Sequence, residues 1–109
     1  MERLREYVGK KLSVERVKDS DALLTNGIVC RYLPDPPEDF DEFEFTFDFE
    51  DETVVLLVTV ELGNIKRLYF SLADHDDPDV TRPLTDDQLK RLLSSKGDRL
   101  VRFLDHITL

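Results

Sequence analysis

The sequence predicts an α+β domain: an antiparallel sheet with a short N-terminal helix and two C-terminal helices packed on it. Three observations carry that expectation. Asp39 to Glu52 reads DFDEFEFTFDFEDE, and from position 42 to 50 rings and polar groups alternate with a period of two. Two other stretches, DALLTNGIVCRYL and ETVVLLVTVELGNIKRLYFSLAD, place Asn-Gly and Gly-Asn between apolar runs, which is hairpin chemistry. Near the C-terminus, TDDQLKRLLSS opens on a capping-box pattern and continues with leucines at helical spacing.

The elements follow in order. ERLREYVGKKL sets Leu4, Tyr7, Val8 and Leu12 at helical spacing, which predicts a short amphipathic helix weakened near its end by Gly9. KLSVERVK alternates poorly and reads as a strand. Residues 21–33 form a hairpin about Asn26-Gly27, a pair that supplies the two positive φ angles of a type I′ turn. The meander comes next, over residues 43–50, 53–62 and 65–73.

Its first strand has one aromatic face, Phe43, Phe45, Phe47 and Phe49, and one acidic face, Glu42, Glu44, Asp48 and Glu50 with Thr46 among them. A helix would mix the two sets and bury carboxylates, which is costly. Its second strand, apolar on both faces from Val54 to Val60, is expected at the centre of the sheet. A turn at Asp51-Glu52 puts the phenylalanines on the face of Val54, Leu56, Val58 and Val60. A type II′ turn at Gly63-Asn64 sets Leu62 against Ile65, Val58 against Tyr69 and Leu57 against Phe70. The acidic face is then bordered by Val55, Leu57, Leu68, Phe70 and Leu72. LADHDDPDVTRP reads as a polar loop.

Two C-terminal helices are expected, over residues 86–96 and 98–107. Thr85 with Gln88 forms the capping box, Gly97 ends the first helix and Asp98 caps the second. No internal repeat or long linker divides the 109 residues, so a single domain is expected.

Charge narrows the classes of function. The net charge is -9, yet residues 1–31 and 66–109 are nearly balanced, while residues 32–65 hold eleven acids and no base. Acidity spread over a whole surface, as in a salt-adapted protein, would not leave both ends balanced. At a pI near 4.6 direct nucleic-acid binding is disfavoured, because it requires a positive footprint that displaces counterions. The bases Lys90, Arg91, Lys96, Arg99 and Arg102 are expected on an outer helix face or paired with acids of the acidic strand. No apolar leader or membrane-length run is present, and the lone Cys30 forms no internal disulfide, so the expected setting is cytoplasmic, away from a membrane.

Catalytic patterns are thin. His75, Asp77 and His106 imitate a two-histidine, one-carboxylate metal site, but they use both histidines of the chain and lie far apart in sequence. DHDDPD is oxygen-rich, yet measured from Asp77 it has Arg82 where a calcium loop needs glycine and Gln88 where it needs glutamate. No nucleophile elbow and no phosphate-binding glycine loop occurs, and Cys30 has no nearby histidine. A non-enzymatic protein is therefore expected, without cofactor or metal.

The remaining signal is the acidic strand. Solvated carboxylates on an edge strand would discourage aggregation and need no further role. The functional alternative is a surface built from Glu42, Glu44, Asp48, Glu50, Asp41, Asp51 and Glu52 that engages and inhibits a basic protein, including one that itself binds nucleic acid. Immunity proteins and nucleic-acid-mimicking inhibitors act in that manner. Two other classes compete: a homo-oligomeric scaffold subunit, with a homodimer covering one sheet face, and a small metal-dependent enzyme.

Overall fold

The computed structural model describes residues 2–17, 29–33, 40–77 and 80–109. Among them a five-stranded antiparallel sheet runs in sequence order: β1 (Val29–Leu33), β2 (Phe40–Phe49), β3 (Glu52–Glu61), β4 (Asn64–Ala73) and β5 (Thr81–Pro83). Among the described residues three helices accompany it, the single turns α1 (Glu2–Arg5) and α2 (Val14–Val17) and the 22-residue α3 (Asp86–Ile107). The α+β class, the antiparallel meander and the N- and C-terminal helical segments are those the sequence predicts. The hairpin turn at Asn26-Gly27 lies outside the described residues.

The core forms on one face of the sheet. Phe43, Phe45, Phe47, Val54, Leu56, Val58 and Val60 are buried there with Leu92, Leu100, Phe103, Leu104 and Ile107 of α3. Phe45 is 0% exposed and meets Phe103 edge to face, with ring centroids 4.7 Å apart. Such a pair adds about 0.5–1.5 kcal/mol beyond the area it buries.

Six expectations are corrected. The first hairpin turns at Glu50-Asp51, both at positive φ (49° and 61°), so Phe49 faces Glu52 and Phe45 faces Leu56. That is two residues from the expected register, and because the shift is even the faces do not exchange.

The second hairpin turns at Leu62-Gly63 instead of Gly63-Asn64, with φ of 51° and 86°. Glu61 then faces Asn64 and Val60 faces Ile65; an irregularity follows, and Thr59 faces Arg67, Val58 faces Leu68 and Leu56 faces Phe70. Lys66 is the extra residue of this bulge. The expected register would have sent Leu68, Phe70 and Leu72 to the acidic face, whereas all three are buried in the core. Burying each is worth about 1.5–3 kcal/mol, which outweighs the roughly 1–2 kcal/mol of placing Leu62 in the left-handed region.

Next, α3 is one helix and not two. Gly97 is buried within it, and the expected break is absent. A helical glycine costs about 1 kcal/mol, less than would be lost if Leu100, Phe103, Leu104 and Ile107 left the stripe that begins at Leu92. The start is as expected: Gln88 N–H donates to Thr85 Oγ1 (3.1 Å) and Thr85 N–H to Gln88 Oε1 (2.9 Å).

At the N-terminus, the helix is a single turn, and Val8 is exposed while Leu4, Tyr7 and Leu12 are buried. The segment read as the strand KLSVERVK makes only bridges, Lys11 with Asn64 and Leu12 with Thr108, before α2 begins at Val14. Arg16 Nη1 then donates to Thr108 O (3.0 Å) and His106 O (3.4 Å) at the end of α3, where helix carbonyls lack partners.

Finally, β5 occupies part of the segment read as a polar loop. It pairs with β4 over Ser71, Leu72 and Ala73.

Candidate functional site

Directly opposed residues of an antiparallel sheet share a face, so the register lays out the side away from α3. One row runs Glu42, Thr59, Arg67 across β2, β3 and β4; the next runs Glu44, Leu57, Tyr69. A third holds Thr46, Val55, Ser71 and Pro83, and a fourth holds Asp48, Thr53, Ala73 and Thr81. In the register of β1, Arg31 stands opposite Glu44 and Leu33 opposite Glu42.

Glu42, Glu44 and Asp48 therefore project to this second face, separated by Thr46. Side chains two apart on a strand repeat every ~6.8 Å, so Glu42 and Glu44 are close neighbours while Asp48 lies about twice that distance beyond Glu44. Glu42 and Glu44 are half-buried and Asp48 is exposed. Among the described residues no ion pair reaches Glu42 or Asp48. Arg67 shares the row of Glu42 but lies two strands away, about 10 Å in the ladder direction, where ionic screening is already substantial.

The other members of the expected site are placed differently. Glu50 occupies the hairpin turn and reaches toward α3, where Arg91 Nε donates to its Oε1 (2.9 Å) and Oε2 (3.2 Å). The guanidinium, hydrogen-bonded to Glu50 and attracted by its charge, has its pKa raised above the ordinary arginine value, with Asp87 adding a smaller pull. Glu52 lies on the helix side of β3, accepting from Arg82 Nη2 at 3.2 Å, with His75 Nε2 3.5 Å from its other oxygen. Asp51 is exposed at the turn. Asp41 is the second residue of β2, in register with Val60. Of the seven expected residues, Glu42, Glu44 and Asp48 thus form an open-face group and Glu50, Asp51 and Glu52 a turn group in which Glu50 and Glu52 are partly neutralised, while Asp41 lies at the other end of β2.

Arg91 and Arg82 escaped the sequence reading as individual partners of Glu50 and Glu52. Only a general pairing of helix bases with strand acids was legible, because the pairing depends on how the hairpin tip meets the start of α3. Also bordering the open acids are Leu57, half-buried, and Tyr69, 37% exposed, with Arg67 4.8 Å above the Tyr69 ring. Val55 on this face is only 6% exposed.

The histidines stand in different parts of the fold. His75 is beside Glu52 at the start of β3, and His106 sits in the last turn of α3. Among the described residues no group of three or more His, Cys, Asp or Glu side chains is arranged to hold a metal ion. Cys30 takes its place in β1 opposite Phe45. No described helix is long and apolar enough to cross a membrane. Comparison with protein-family models, curated proteins and solved structures returned no match.

Proposed function

We propose that the protein is a non-enzymatic binding module whose sheet face, through Glu42, Glu44 and Asp48, engages a basic protein surface and inhibits it by occupation. The observation that supports this reading is the division of the acids. Glu50 and Glu52 have arginine partners, while Glu42 and Asp48 carry their charge on the opposite face with no ion pair among the described residues. Like charges held in a row destabilise the compact state by mutual repulsion, and a cationic partner relieves that repulsion on binding. Leu57 and Tyr69 beside them offer an apolar anchor, and buried aromatic anchors carry more binding energy than charged rims.

Electrostatic steering of this kind speeds association and makes it sensitive to salt. The experiment is affinity capture with identification of the bound proteins, for the natural chain and for Glu44→Lys/Asp48→Lys. The reading requires a basic partner that the doubly reversed variant fails to retain, that is released by moderate salt, and that a DNA fragment competes away if its bound surface is the one that grips nucleic acid. A partner retained equally by the reversed variant sinks the reading.

A further inference from the structure

The outer edge of β4 is closed at both ends and open between them. At one end Gly9 N–H donates to Ile65 O (2.7 Å) and Ile65 N–H to Lys10 O (2.8 Å). At the other end β5 pairs with Ser71 to Ala73 and ends at Pro83. From Lys66 to Phe70, β4 has β3 on one side and no described strand on the other.

Backbone groups two residues apart in an antiparallel strand point the same way. Asp74 N–H reaches across this edge to Val80 O (2.9 Å), so Phe70 and Leu68 also turn their N–H and C=O groups outward. Beside them lies a shallow apolar cavity of about 230 Å³, lined by Leu68, Tyr69, Phe70, Pro83, Leu84 and Leu89. On the other face of the same stretch Arg67 is exposed, and among the described residues no carboxylate pairs with it. Lys66 next to it is held by Glu61 (2.8 Å), and Lys10 lies over the Tyr7 ring (4.7 Å). The rim of the open stretch is cationic, opposite in sign to β2.

We infer that this notch binds an extended, acidic-apolar segment of a partner protein as an added strand of about five residues, some 17 Å of chain. The outward groups of Leu68 and Phe70 supply the main-chain hydrogen bonds. Residues of the added strand that face Leu68 and Phe70 lie on the helix side and enter the cavity. The alternate residues lie on the other side, where a carboxylate meets Arg67. The length is set by the two closed ends, and the alternation by the cavity on one face and the guanidinium on the other. This edge adjoins the acidic face proposed above, with Arg67 and Tyr69 at the border of both, but the inference does not rest on that reading.

The test uses the whole chain and two capped, fluorescein-labelled pentapeptides, one alternating aspartate and leucine, the other lysine and leucine. Fluorescence anisotropy should show the aspartate peptide binding at least about tenfold more tightly. Arg67→Glu, an exposed change, should reverse that preference, an outcome that unfolding cannot produce. With the aspartate peptide bound, hydrogen exchange at the Leu68 and Phe70 amides should slow about tenfold. The inference is overturned by absent or equal binding of the two peptides, by an unchanged preference in folded Arg67→Glu protein, or by exchange protection that appears elsewhere and spares residues 66–70.

Discussion

The two faces of β2 are built from adjacent residues and do opposite work. Toward α3, Phe43, Phe45 and Phe47 are buried against the helix and against β3, with Phe43 and Phe45 rings 6.3 Å apart. Toward the other side, Glu42, Glu44 and Asp48 keep carboxylates half-buried or exposed. Stability therefore resides on one face and net charge on the other. A strand so divided tolerates a change of charge on one face far better than a change of volume on the other.

The sharpest way to break the contrast is Phe45→Ala. Loss of a fully buried ring and its Phe103 contact should lower unfolding free energy by about 3–5 kcal/mol in urea titration. Against a typical total of about 5–15 kcal/mol, this is a large share of the stability. A loss below about 1 kcal/mol would mean that the aromatic face is not the core.

Smaller effects are expected at the turns that set the two faces in register. Asp51 and Leu62 hold φ of 61° and 51°, and Leu62 is 74% exposed. Asp51→Gly and Leu62→Asn should each raise the urea midpoint, by about 0.5–1 kcal/mol of stability, because glycine and asparagine accept the left-handed region more readily. A decrease for either would show that the turn is closed in another conformation.

On the acidic face, Asp48→Lys should change stability by no more than about 0.5 kcal/mol while weakening capture of a basic partner. A large loss of stability there would mean that the carboxylate is structural. Smallest is Arg91→Ala, which unties Glu50 from α3 across an exposed contact and should lower the melting temperature slightly, less so in high salt. Raising the pKa of Arg91 stabilises the fold across the neutral range. That contribution is lost in strong alkali, as pH rises through the raised value, so it should be flat from pH 5 to 9.

Legibility varied with how local the deciding interaction was. The parity of Phe43 to Phe49 was readable because alternation in a strand is a property of the backbone alone. The capping box at Thr85 and Gln88 was readable because its two hydrogen bonds span three residues. Misreadings occurred where a local preference competed with distant packing. Gly63-Asn64 is better turn chemistry than Leu62-Gly63, and Gly97 is a better helix end than a helix interior, yet in both places burial of apolar residues prevailed. A trace of the bulge was present in the sequence: Ile65-Lys66-Arg67-Leu68 separates two apolar residues by two bases, a spacing that no regular strand accommodates on one face.

The candidate surface divided along the same line. That carboxylates crowd between positions 41 and 52 is a fact of composition, and that Glu42, Glu44 and Asp48 share a face follows from the pleat. Which acids would be neutralised could not be read, because Glu50 meets Arg91 across 41 residues and Glu52 meets Arg82 across 30.

By itself, the sequence determined the class of the fold, the inward and outward parity of β2, the apolar character of β3 and the place where α3 begins. Only the tertiary structure decided the two turn positions, the continuity of α3 through Gly97, the short β5 and the split of the acidic residues between the hairpin turn and the sheet face away from α3. The physical reason is range. Alternation and capping are settled within a few residues, whereas register, helix continuity and ion pairing are settled by which partners the folded chain brings within a few ångströms.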